Sequence, residues 1–112
     1  MTQPTSEYPV LDTLIAMTAE SVARSGLDPN SLLVARLAAL AAVDAPTASY
    51  LMHVGPAVDA GVTVEQLQGI LIAVAPIIGT PRTASAAAKM TEALGIVVIA
   101  VEAELEAEEA AQ

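Results

Sequence analysis

Apolar residues recur along this chain at intervals of three and four positions, which is the spacing of an amphipathic α-helix. Between Pro9 and Arg24 the stripe consists of Leu11, Leu14, Ile15, Met17 and Val22. Gly26 follows, and glycine is the residue type that most often ends a helix in the left-handed conformation. The pattern therefore predicts a first helix that ends just before Gly26.

The second predicted helix is apolar on almost every face. Asp28 is expected to be its N-cap and Pro29 to occupy its first turn. The segment Ser31–Val43 then carries a single charge, Arg36. A helix without a polar face belongs in the centre of a bundle or at a subunit interface.

The third predicted helix contains a proline. A start signal at Asp44 to Pro46 opens this helix, which is expected to reach about Ala60. Pro56 lies inside it, has no amide hydrogen to donate and clashes with the carbonyl four residues earlier. We therefore expect the helix to break or bend just after His53.

The remaining signals complete an all-α prediction of five to six helices. Thr63 and Gln66 have the spacing of a capping box, which opens a fourth helix at Val64–Ile78. A fifth helix is predicted from Thr80 to Leu94. Residues 96–101 are β-branched and would suit a strand, but a single strand has no partner. We therefore predict a sixth helix, which continues into the glutamate-rich end.

The length of 112 residues fits one domain. We expect a flexible arm at 1–7, a helical domain at 8–101 and an acidic tail at 102–112, where five of the 13 acidic residues lie. No basic segment followed by an apolar run begins the chain, so no signal peptide is predicted. The uncharged apolar stretch 69–81 is shorter than the roughly 20 residues of a membrane span. A soluble, cytoplasmic protein is expected.

Composition adds an expectation about partners. Apolar residues make up 54% of the chain and charged residues only 15%, so part of the surface of so small a domain must be apolar. Large apolar surfaces usually mark interfaces, which favours a homo-oligomer. The formal net charge of −9 argues against nucleic acid and anionic membranes as partners.

The chain offers few groups for chemistry. It has no cysteine, which excludes disulfides, thiolate metal sites and thiol redox chemistry. One histidine with dispersed carboxylates gives no metal-ligand pattern, and the glycines fit no phosphate-binding loop. No metal site and no nucleotide-binding loop are therefore predicted. His53 is the one side chain of a type that ordinarily exchanges protons near neutral pH.

His53 is the candidate catalytic residue, and two interpretations of it stay open. Helical spacing places Ser49 and Tyr50 on its face, where a hydroxyl could fix the imidazole tautomer and both side chains could contact a substrate. Alternatively, His53 packs at an interface, with its nitrogens satisfied by Ser49 or by a carbonyl freed by Pro56.

Two arginines are candidate anchors for a substrate carboxylate. Arg36 either binds such a group through two parallel hydrogen bonds or forms an ion pair inside the protein. The internal partners considered are Asp44, Asp59 and Glu20. Arg82 lies at a helix start, where its cation opposes the helix dipole. It either binds an anion, from a ligand or a neighbouring subunit, or is a solvated surface residue.

Several of these residues together carry a resemblance to a known family. They are His53, Ala57 and Gly61 at intervals of four, then Val62, Thr63 and Glu65, then the run Ile70–Ile78 with Gly79 and Pro81. Over roughly residues 10–95 the chain resembles the carboxymuconolactone decarboxylase and alkylhydroperoxidase D-like family. The resemblance implies an all-helical fold that assembles into trimers or hexamers.

The resemblance also bears on the reaction. Peroxidase-type members carry two cysteines seven and four residues before the histidine, where this chain has Pro46 and Ser49, and a glutamate near the position of Val34. Thiol peroxidase activity is therefore not expected. Decarboxylase-type members act on a carboxylated lactone without metal or organic cofactor, and the resemblance assigns their proton transfer to His53.

Two hypotheses about function follow. The first is a cofactor-independent acid–base enzyme, a decarboxylase or lyase, acting on a small carboxylated lactone or related organic acid. The second is a non-catalytic homo-oligomer that binds a small molecule or serves as a scaffold.

Overall fold

The computed structural model describes residues 7–111, and every regular element in that range is an α-helix. The helices are α1 (Pro9–Ser25), α2 (Pro29–Ala42), α3 (Thr47–Asp59), α4 (Val64–Ile78) and α5 (Thr80–Ala110). The predicted all-α fold is confirmed. Except for Glu7, the predicted arm at 1–7 lies outside the described residues.

The helix ends form where local sequence signals place them. Gly26 ends α1 with a φ of 67°, in the left-handed region that favours glycine. The Asp28 carboxylate caps α2 by accepting a hydrogen bond from the Ser31 amide at 2.8 Å. Thr63 and Gln66 form the predicted reciprocal capping box at the start of α4.

Asp44 connects two parts of the fold. It lies in the turn before α3, whose N-cap position is Pro46, and has a left-handed φ of 51°. Its Oδ1 atom accepts hydrogen bonds from the Ser85 hydroxyl at 2.7 Å and from Lys89 Nζ at 3.0 Å. Asp44 therefore ties the α2–α3 turn to α5.

Helix α3 continues through Pro56, so of the break or bend expected after His53, the break does not occur. Pro56 is exposed, and Met52, whose carbonyl loses a donor, is also on the solvent side with 72% of its surface exposed. Water can satisfy that carbonyl, because the site is not enclosed. The helix therefore tolerates the proline, and His53 lies within a continuous element.

Helix α5 unites the predicted fifth and sixth helices in 31 residues and passes Gly95 without interruption. No atom beyond its own helix lies within 4 Å of a Cβ added at Gly95, so this glycine reflects no close approach. The expected boundary between domain and tail at 101–102 falls inside α5. By length and composition alone, α5 could cross a membrane, a property it shares with the core helices of soluble proteins.

The core lies between α2, α3, α4 and the first half of α5. Its largest fully buried side chains are Leu37 of α2 and Tyr50 and Val54 of α3. Ala86, Met90 and Ala93 form the buried face of α5, which packs against α3. Val97 still packs against this core. Beyond it the helix extends away, and the larger apolar side chains Val98, Ile99, Val101 and Leu105 are exposed.

Helix α1 stands beside this body without joining the core. None of its residues is buried, and its larger apolar side chains are 48% to 73% exposed. The radius of gyration is 16.7 Å, whereas a compact domain of this length has about 13 Å. The described chain is therefore a four-helix body with two projecting elements, α1 and the end of α5.

Candidate functional site

His53 lies on the face of α3 that points toward α1 and α2, and it is half-buried. Its Nδ1 atom is 2.7 Å from the backbone carbonyl oxygen of Ser49. A carbonyl oxygen only accepts, so Nδ1 must carry the hydrogen and donate it. In the neutral ring Nε2 then keeps its lone pair, which makes it a proton acceptor. The Ser49 backbone, rather than its hydroxyl, fixes the tautomer.

An open groove of about 390 Å³ lies between α1, α2 and α3. We call it the His53 groove; it is lined by Met17, Thr18, Ser21, Arg36, Ala39, Leu40 and His53. Its volume falls in the range of small-molecule sites, roughly 300–1,000 Å³. The groove brings the imidazole and the Arg36 guanidinium to the same hollow from two different helices.

Arg36 has no acidic partner among the described residues. Its guanidinium donates to the Ser21 hydroxyl at 3.1 Å and to the Thr18 carbonyl at 3.4 Å. Of the carboxylates considered as partners, that of Glu20 pairs with Arg24 at 3.2 Å and that of Asp44 with Lys89. Since a guanidinium has five N–H donors, Arg36 retains donors for a further acceptor.

Arg82 lies elsewhere. It is exposed in the first turn of α5, outside the His53 groove, and forms no ion pair within the described residues. The pKa of Asp44 is held below its usual value mainly by hydrogen bonds from Ser85 and Lys89, with the charge of Arg82 a smaller cause. The fold thus separates the two predicted anchors, and Arg36 is the one beside His53.

Tyr50 turns away from the groove into the core. It is fully buried, and its hydroxyl has no hydrogen-bond partner among residues 7–111. This burial raises the pKa of the phenol above its ordinary value, with the nearby Asp44 charge as a second cause. Tyr50 therefore sits where no substrate in the groove can contact it.

Helix α1 supplies groove residues that the sequence reasoning missed. Thr18 and Ser21, three positions apart, interrupt the apolar stripe of the first helix, and Met17 adjoins them. Polar residues at helical spacing within an apolar stripe were the available signal. No group of three or more His, Cys, Asp or Glu side chains that could hold a metal occurs within residues 7–111.

The chain was compared with known proteins by family and by structure. The model of the carboxymuconolactone decarboxylase family matches residues 9–93, which include α1 to α4 and the first half of α5. No curated protein and no solved structure matches the chain. The matched region contains His53 and Arg36 and the whole buried core. The chain therefore belongs to the carboxymuconolactone decarboxylase family.

Proposed function

We propose that the His53 groove binds a small organic acid and that His53 transfers a proton on it without a cofactor. One observation carries this proposal: an arginine without an acidic partner and an imidazole with its Nε2 lone pair available line the same groove. A guanidinium beside apolar residues stabilises a bound anion, because carboxylate and guanidinium match through two parallel hydrogen bonds.

The substrate class is a carboxylated lactone or a related organic acid. Its carboxylate binds Arg36, and its apolar part lies against Met17, Ala39 and Leu40. Nε2 removes a proton from a carbon next to a carbonyl and leaves an enolate, and the protonated ring then returns the proton. If CO₂ leaves instead, the electron pair of the broken C–C bond passes into the conjugated carbonyl, and a protonated ring supplies the proton that the carbon needs.

Thiol peroxidase activity is not part of this proposal. Peroxide reduction by a dithiol needs a thiolate, and the sequence contains no cysteine. Pro46 and Ser49 occupy the positions where the resemblance places the two cysteines.

We further propose that the protein is a cytoplasmic homo-oligomer, a trimer or a hexamer. The chain exposes 7832 Å² of surface, whereas a compact monomer of this size exposes about 5,800 Å². The excess of roughly 2,000 Å² exceeds the ~800 Å² that each partner buries in an interface of standard size. Apolar side chains of α1 and of the end of α5 contribute much of this exposure.

A second candidate function is a non-catalytic oligomer that binds a small molecule or acts as a scaffold. The observation that favours it is the openness of the His53 groove. Within the described range, the α1 wall of this groove is hydrogen-bonded to the rest of the protein only through Arg36. Acid–base catalysts usually act in sites that exclude water. Binding without turnover would favour this second function.

The test measures binding and turnover separately. A panel of small organic acids, including carboxylated lactones, is screened by thermal shift; an acid at about 100 times its Kd stabilises the native state by about 2.7 kcal/mol. We expect Arg36→Gln to abolish the shift, because glutamine removes the charge while keeping donors for Ser21 and Thr18. Arg82→Gln is the matched control and should retain it.

Turnover of each binding acid is then followed by substrate loss and CO₂ release. His53→Gln should abolish turnover while the thermal shift persists. If Arg36→Gln and Arg82→Gln behave alike, Arg36 is not the anchor and the proposal fails. Binding without turnover in the wild type selects the non-catalytic alternative.

A further inference from the structure

We infer that α1 of one copy docks into an apolar groove between α4 and α5 of a second copy. The inference builds on the proposed homo-oligomer and goes beyond it, since it names both surfaces. The α1 stripe is defined here as Val10, Leu11, Leu14 and Ile15. The α4–α5 groove is defined here as the two adjoining hollows that share Gln68, Leu71 and Ala87.

The α4–α5 groove is long and apolar, and no part of its own chain within the described range fills it. Its two hollows measure about 220 Å³ and 540 Å³, and neither is lined by a charged side chain. Ile72, on its rim, is 74% exposed. Helix α4 has 15 residues, so at about 1.5 Å per residue it provides a groove wall about 22 Å long. This shape fits a helix better than a small molecule.

The α1 stripe has matching chemistry. All four side chains are exposed, by 48% to 73%, and Asp12 lies on the other side of the helix. The stripe covers the six positions 10–15 and so spans about 9 Å along the helix, which fits within the length of the groove wall. Two apolar surfaces without charges can associate without burying an ion, which would be costly.

The helix that enters the α4–α5 groove comes from a second copy, because α1 is held away from the α4–α5 groove of its own chain. Arg36 of α2 binds the α1 backbone at Thr18 and the side chain of Ser21, which keeps α1 on the α2–α3 side of its own body. Helix α1 makes no substantial contact with α4 or α5 of its own chain. The stripe precedes this attachment along α1, with Leu14 on the same side of the helix as Thr18, and its side chains stay exposed. A second copy can therefore cover them there.

The chain as a whole exposes more surface than a compact monomer of its size, which leaves area for such contacts. Each copy gives one stripe and receives one, so it buries surface twice. The exposed excess of roughly 2,000 Å² per chain leaves room for the ~800 Å² that a standard interface takes from each partner. The contact joins two different surfaces, and such heterologous contacts close into rings when the rotation allows.

Docking has a consequence for the His53 groove. Met17, Thr18 and Ser21 of α1 form one of its walls. In a single copy this wall is attached through Arg36, whereas in the assembly the neighbouring body also holds α1. The groove of each copy therefore reaches its final shape only when a second copy is present.

The absence of native cysteine makes a cross-linking test specific. Two single variants, Leu14→Cys and Ile72→Cys, are mixed and oxidised. We expect a disulfide between the two different chains at much higher yield than with Ala16→Cys in place of Leu14→Cys. Ala16 is the matched control because it is exposed and lies about 200° around the same helix.

The outcomes separate this inference from the proposed oligomer. Disulfides only between two Leu14→Cys chains would show α1 pairing with α1 and would overturn the inference. An oligomer by light scattering with no preference for Leu14→Cys over Ala16→Cys would overturn it and leave the homo-oligomer standing. A wild-type monomer would overturn both.

Light scattering of charged variants gives a second, independent readout. Leu14→Lys and Ile72→Lys should each lower the mass of the assembly at micromolar concentration, while Ala16→Lys should leave it unchanged. Circular dichroism checks that the variants stay folded, as expected for side chains outside the core. Equal masses for all four proteins would overturn the inference.

Discussion

At the residue scale, two side chains on one side of α3 differ in their burial. Tyr50 and His53 are three residues apart, which separates them by about 60° around a helix. That spacing predicts a shared face, yet the edge of the core passes between them: Tyr50 is fully buried and His53 lines a groove. Sequence periodicity locates a face but not its edge, because the edge depends on which helices pack against it.

The buried hydroxyl of Tyr50 gives a stability prediction. It has no hydrogen-bond partner, so Tyr50→Phe removes an unsatisfied polar group and leaves the ring packing intact. We expect a free energy of unfolding unchanged or raised by up to about 1–3 kcal/mol. Tyr50→Leu is the control: it leaves a cavity and should destabilise the fold. Urea denaturation measures both, and a clear loss of stability in Tyr50→Phe would reveal a partner for the hydroxyl.

Asp44 gives a pH prediction. Hydrogen bonds from Ser85 and Lys89 lower its pKa in the folded state below the 3.8 of an unperturbed aspartate. A carboxylate with a lowered folded pKa stabilises the fold above its unfolded pKa, and this contribution disappears as the pH falls through the folded pKa. Asp44→Asn, which also tolerates the left-handed φ, should therefore lower the melting temperature at pH 7.

The melting temperatures of wild type and Asp44→Asn should approach each other in acid. Melting temperatures of wild type and Asp44→Asn are measured from pH 7 to about pH 2, and the difference should shrink below the unfolded pKa near 3.8. Ser85→Ala, which removes one donor, should reduce the pH-dependent difference. A gap that is constant across the range would mean that the Asp44 charge contributes nothing.

At the element scale, the sequence predicted where helices begin and end. It did not predict that helices continue through a proline or a glycine. Caps at Asp28 and Thr63 and the stop at Gly26 are local devices that work with the residues beside them. The two interruptions expected inside helices, at Pro56 and Gly95, did not occur. A breaker adds a cost of up to a few kcal/mol, and packing against the neighbouring helices offsets it.

Pro56 tests that explanation. Because α3 is already continuous, Pro56→Ala restores a donor for the Met52 carbonyl within an existing helix. We expect the free energy of unfolding to rise by about 1–3 kcal/mol, measured in urea. Ligand binding in the His53 groove should be unchanged. Loss of binding would mean that the proline sets the position of His53.

At the scale of the whole molecule, the sequence predicted the class of fold and the candidate site only in part. Arg36 was identifiable as the only charge in the apolar segment 31–43, and His53 as the only histidine of the chain. Their meeting in one groove, and the placement of Arg82 outside it, depend on how α2, α3 and α5 pack, which local patterns do not encode. The α1 wall depends on a helix that joins no core, so no burial pattern revealed it.

The central claim is that His53 and Arg36 form one site for an organic acid, and NMR of the single histidine tests it most directly. The one imidazole gives one pair of ring ¹⁵N signals, free of overlap with other histidines. We predict a neutral ring protonated at Nδ1, as the hydrogen bond to Ser49 requires. The Nε2 signal should move when a binding acid is added to wild type or Arg82→Gln, and stay fixed in Arg36→Gln. A neutral ring protonated at Nε2, or a shift that persists in Arg36→Gln, would contradict the account.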